Sequence, residues 1–158
     1  MQIDELDRAV LRLLIEEPRA GTREHARLLG VARGTVQARI ARLERAGVIT
    51  SYAAHVSPAA LGFPLEAFIH LHLAQGKLDE VSRQLTGIPE LLQAHSTTGE
   101  GDLLCWVATR DNTHLEQVIQ RLLALPGVIR TRTDVGLSQR VPYRVQPLLV
   151  QGAKLADR

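Results

Sequence analysis

Apolar residues near the start of the chain fall at Ile3, Leu6, Val10, Leu13 and Leu14. Their spacing is that of one amphipathic helix from Ile3 to Ile15, ended by Pro18. A second short helix is expected over Thr22 to Leu29, with Thr22 as its N-cap, Ala26 and Leu29 facing inward, and Gly30 stopping it in a left-handed turn. A third runs from about Arg33 to Ala46, buries Val36, Ile40 and Leu43, and closes at Gly47. Three short helices with the tight turn Gly30-Val31-Ala32 before the last form the helix-turn-helix arrangement, whose final helix lies in the DNA major groove.

Beyond Gly47 the run Val48 to Val56 is rich in strand formers, and Ser57-Pro58 and Gly62-Phe63-Pro64 then break the pattern. Residues 51–64 therefore read as a hinge between a first domain, 1–50, and a second, 65–140. In the second, Leu65, Ala67, Ile69, Leu71 and Leu73 alternate with Glu66, Phe68, His70 and His72, which is a strand with two unlike faces. A repeat follows at a shift of 37 residues: Leu78, Val81, Leu85, Pro89 and Leu92 fall on Leu115, Val118, Leu122, Pro126 and Ile129. Each half holds a helix, a proline stop and a strand, and Leu103 to Thr109 is a strand apolar on both faces. The order is βαββαβ, the ferredoxin-like α+β plan with its first and third strands at the sheet centre. Helices cover one face of such a sheet, and the other, carrying Phe68 and either Trp106 or Cys105 and Val107, is too apolar to stay wet. The tail, 141–158, holds Pro142 and Pro147 and is expected as an edge strand or an extended arm.

Composition narrows the setting. With 158 residues, 45% hydrophobic and 23% charged, the chain suits two small folded domains. The single cysteine, Cys105, excludes an internal disulfide and a four-cysteine zinc site and fits a cytoplasmic location. No run approaches the roughly 20 apolar residues of a membrane helix, and the first residues lack a secretion signal's order. Net charge is only +2, but from Pro18 to Gly47 seven arginines face two glutamates. That basic segment contains the third helix, whose outer face carries Gly34, Thr35, Ala38, Ala41, Arg42 and Arg45, flanked by Gln37 and Arg39. Small residues let the backbone approach a groove floor, Thr35 and Gln37 suit base edges, and Arg19, Arg33, Arg39, Arg42 and Arg45 suit phosphates and base edges.

Ile3-Asp4-Glu5-Leu6-Asp7-Arg8, Arg19, Ala26, Gly30-Val31, Val36, Arg39-Ile40, Arg42-Leu43-Glu44 and Gly47-Val48-Ile49 resemble the N-terminal domain of Lrp/AsnC (feast/famine) transcriptional regulators. Two departures stand out: His25 where the family usually has Leu, and Ala32-Arg33 in place of the usual Ser and its neighbour. The resemblance implies a winged-type helix-turn-helix followed by a ferredoxin-like domain for effector binding and oligomerisation, with the hinge strand crossing to a partner subunit. It also implies a homodimer, assembling further into tetramers or octamers, that reads a palindromic operator in double-stranded DNA. The loop Thr97 to Asp102 joins the second and third strands, and its two acids could hold the ammonium of an amino acid. By resemblance, Thr98, Gly99, Glu100, Gly101 and Asp102 line the site of a small amino-acid effector, although Gly101 and Leu103 replace positions that are commonly aromatic. No other cofactor is expected.

Other chemistry is thin. His70 and His72 share a strand face that His95 could approach as metal ligands, but no carboxylate or thiol at matched spacing completes a site, and interface histidines are the plainer reading. Cys105 reads as a core thiol. No phosphate-cradling loop, dinucleotide fingerprint or nucleophile elbow is present, so no enzyme is expected. The alternative is a metabolite-binding or small-hydrolase α+β domain whose N-terminal helices make protein contacts. A protein-contact helix would carry Leu or Phe where this one carries Gly, Ala and Arg.

Overall fold

The computed structural model describes residues 2–150. The chain divides into two compact units, Met1–Ala54 with Val141–Arg158, and His55–Arg140. The part of the tail from 151 onward lies outside the described residues.

The first unit holds α1 (Glu5–Glu16), α2 (Thr22–Leu29) and α3 (Arg33–Arg45). Val10, Leu11, Ala26, Val36 and Leu43 form its core, with Ile3, Leu14, Leu29, Ile40 and Leu149 packed against them. α1 opens with a capping box: the Asp7 N–H donates to Asp4 Oδ1 (2.9 Å) and the Asp4 N–H to Asp7 Oδ2 (3.0 Å). The N-cap of α2 is Gly21 and not the expected Thr22, which is the first helical residue; no side chain caps this helix. Gly30 ends α2 at φ 65°, where a side chain would be strained, and its N–H and that of Val31 satisfy carbonyls of the last turn.

Two expectations about the connecting segments are corrected. Residues 50–57 contain no strand and are exposed; strand formers need a partner ladder for their backbone groups, and none is present among the described residues. Residues 146–150 are helical and are no edge strand, and Leu149 packs on the core of the first unit. Pro147 is tolerated because it falls in a first helical turn, where its missing N–H would be unpaired anyway.

The second unit is the expected βαββαβ: β1 (Leu65–Leu73), α4 (Leu78–Leu85), β2 (Leu91–Ser96), β3 (Leu103–Thr109), α5 (Asn112–Leu123) and β4 (Val128–Val135). The strand order is β2-β3-β1-β4, every pair antiparallel, with β1 and β3 central. Ala67, Ile69, Leu71, Leu103, Cys105 and Val107 face the helices and pack on Val81, Leu85, Leu115, Val118 and Leu122. The opposite face carries Phe68 and Trp106, their ring centroids 6.3 Å apart, so Trp106 lies on it while Cys105 and Val107 face the helices. Trp106 Nε1 donates to Glu66 (3.0 Å).

Candidate nucleic-acid interface and effector loop

Burial separates the faces of α3. Val36 and Leu43 are fully buried, while Arg33, Gly34, Thr35, Gln37, Ala38, Ala41 and Arg45 are exposed along the opposite side. No large apolar side chain interrupts that strip, so it offers a backbone-close floor with polar reach at its margins. Arg19 and Arg23 are exposed as well, and Arg27 is tied to Glu24 (2.6 Å).

Arg39 and Arg42 sit differently from the other arginines. Arg39 bonds Asp4 and, at 3.2 Å, Asp7; Arg42 bonds Asp7 and approaches Asp4 at 3.7 Å. Asp7 is fully buried. The hydrogen bond from the Asp7 backbone, then that from Arg39, hold the Asp4 carboxyl below the usual carboxylate range. The sequence reading missed Asp4 and Asp7, although the i, i+3 pairs Asp4/Asp7 and Arg39/Arg42 were there to be matched. His25 is buried beside α1 with Nε2 3.3 Å from the Glu17 carbonyl.

In the second unit the loop after β2 is tightly built. Thr97 donates its hydroxyl to the Gly101 carbonyl (2.7 Å), the Asp102 N–H donates to the Leu71 carbonyl (2.9 Å), and Asp102 Oδ2 accepts from the Leu73 N–H (2.7 Å). Glu100 is ion-paired with Arg132 of β4, which also lies 3.3 Å from Asp134. Thr98, Gly99, Glu100 and Asp102 are exposed and Gly101 is buried. A cavity of about 240 Å³ adjoins the loop, lined by Leu73, Ala74, Leu78, Ser96, Thr97 and Asp102 among others. A larger one of about 430 Å³ lies between α4 and β2 and shares Leu78 and Ser96 with it. Of the five loop residues expected at an effector, only Asp102 lines either cavity.

The histidine cluster does not assemble. His95 pairs with Leu104 of β3, and Leu104 in turn with His70 of β1, so a whole strand separates the two imidazoles. Among the described residues no group of three His, Cys, Asp or Glu could hold a metal. Burial raises the Cys105 thiol pKa to about 11, so the nucleophilic thiolate is scarce at neutral pH.

Family models match both parts of the chain: winged helix-turn-helix DNA-binding at residues 3–50 and the Lrp/AsnC ligand binding domain at residues 66–146. The HTH-type transcriptional regulator FL11 of Pyrococcus horikoshii is 32% identical over 135 residues, 85% of this chain and 89% of that protein. The regulator Ptr1 of Methanocaldococcus jannaschii is 35% identical over 69% of this chain and 74% of its own. Among solved structures, E. coli AsnC superposes with a TM-score of 0.86 at 28% identity, covering 93% of this chain and all of that one. The feast or famine regulatory protein from M. tuberculosis, complexed with L-methionine, superposes at 0.82 and 30% identity, covering 90% and 97%. A helix-turn-helix unit followed by a ligand-binding α+β unit, matched along nearly the whole chain, makes this protein a member of the Lrp/AsnC family of transcriptional regulators.

Proposed function

We propose that the chain binds a palindromic operator through the exposed face of α3, as a homodimer or higher assembly in the cytoplasm, and responds to a small amino acid. The observation that supports the DNA contact best is the exposed strip itself, with Gly34, Ala38 and Ala41 between Thr35, Gln37, Arg33 and Arg45. Thr35 and Gln37 read base edges; Arg19, Arg33 and Arg45 neutralise phosphates. Self-association covers the open sheet face, where Phe68 is 39% exposed beside Trp106. The effector enters next to the loop around Glu100 and Asp102. Asp102 and Thr97 supply oxygens for an ammonium and Leu73 and Leu78 an apolar wall, a pairing that suits a small amino acid. Transcriptional regulators among its relatives set the functional class, and no enzymatic role is proposed.

The direct test compares Gln37→Ala and Arg45→Ala on the same duplexes. Loss of Arg45 is expected to weaken binding to all sequences alike and to flatten the slope of log affinity against log salt by about one. Loss of Gln37 is expected to relax discrimination between the preferred duplex and a scrambled one. Two variants that bind like the parent would sink the interface.

A further inference from the structure

Asp4 and Asp7 lie on a different helix from the proposed DNA-contacting strip, and the DNA-binding reading makes no use of them. Asp7 is fully buried in the helical unit, a costly place for a carboxylate unless charged partners complete it. Those partners are the two arginines that helix spacing would otherwise direct to phosphates. Asp7 takes Arg42 and Arg39; Asp4, half exposed, takes Arg39 and faces Arg42 at 3.7 Å. Two carboxylates three residues apart on α1 thus meet two guanidinium groups three residues apart on α3. The capping box fixes both aspartates against the backbone of α1, so they present a rigid acceptor pair. Arg42 Nε is buried without a hydrogen-bond partner, so the guanidinium is held by its terminal nitrogen on the aspartates.

We propose that Asp4 and Asp7 are positioning residues for DNA recognition: acting through Arg39 and Arg42, they fix the rotation of α3 on α1 and withhold those two arginines from the phosphate-binding set. The inference rests on the outer strip of α3 being the DNA interface. It has a consequence in counted charges. A cation already neutralised by a carboxylate adds little to the counterion release that drives phosphate binding, whereas one free of such a partner adds about one unit of salt slope. Arg33 and Arg45 form no ion pair among the described residues and carry that slope.

The test uses the full chain, a short duplex that the protein has enriched from a random-sequence pool, and a scrambled duplex of the same length. Affinity for both is measured across a salt series, and folded fraction is read by circular dichroism. Asp4→Asn keeps a capping oxygen and removes only the charge, so it serves where Asp7→Asn fails to fold. Asp4→Asn and Arg42→Gln are expected to lose about tenfold of the preference for the selected over the scrambled duplex, the order of one bidentate contact put out of register. In Arg42→Gln, affinity for the scrambled duplex and the salt slope are expected to stay as in the parent; Asp4→Asn leaves two guanidinium groups on one carboxylate and is expected to steepen the slope by up to about one, and the folded fraction is expected to hold in both. A flattening of the slope by about one in Arg42→Gln would make it a phosphate ligand and overturn the inference. An unchanged slope in Asp4→Asn would overturn it too, as would equal losses on both duplexes that track a fall in folded fraction. Gln37→Ala separates the two levels: if it keeps full discrimination, the interface reading fails whatever the aspartates do.

Discussion

Gly101 shows how much one hydrogen in place of a methyl can decide. A Cβ built there would stand 3.2 Å from the His70 Cβ and 3.2 Å from the Leu71 carbonyl, and Leu71 belongs to a central strand paired on both sides, which has no room to retreat. With glycine there, the chain closes its loop directly onto the sheet. Gly101→Ala is expected to cost about 1–3 kcal/mol, the range of an overpacked site, and a lowered melting midpoint measures it; an unchanged midpoint would mean that the loop moves freely off β1. Residues of this kind are hard to read in a sequence, because a glycine needed for close approach looks the same as one needed for a turn. The aspartates of α1 were hidden for another reason. Amphipathic patterning assigns charged residues to the outside, and it has no means of finding a carboxylate that is buried because an arginine more than thirty positions away completes it. His25, a departure visible in the sequence, places its ring at a core position where patterning expects an apolar side chain.

At the scale of elements the legible part was periodic. α2, β1 and β3 have the bounds that alternation and helical spacing dictate, and the 37-residue repeat produced two helix-strand halves with their buried Val81, Leu85, Val118 and Leu122 in register. What failed was what depends on partners. Val48 to Val56 has the composition of a strand but no ladder among the described residues, and the segment around Pro147 is helical, with its apolar Leu149 packed on the helical core. The loop between β2 and β3 is an element in its own right. Glu100 holds Arg132 on β4, and Asp102 holds the backbone of β1, so a ligand ammonium drawn to these carboxylates must compete with interactions that already order the loop. A thermal-shift screen of the twenty amino acids measures the outcome. A ligand at 100 times its Kd is expected to stabilise by roughly 2.7 kcal/mol, and no response to any of them would remove the amino-acid effector from this account while leaving DNA binding in place.

For the whole molecule, charge and surface divide the labour. The basic residues gather in the helical unit, while the α+β unit offers a sheet whose outer face pairs stacked aromatics with His70, Arg132 and Asp134. Family membership joins these halves as regulator and ligand-binding domain, and the proposed two-fold assembly would turn two copies of α3 into a pair of readers about 34 Å apart. Selection of binding sites from random double-stranded DNA tests that claim most directly. The expected result is one enriched motif made of two inverted half-sites, centred about one helical turn apart; an enriched pool with no shared motif, or no retained DNA at all, would contradict it.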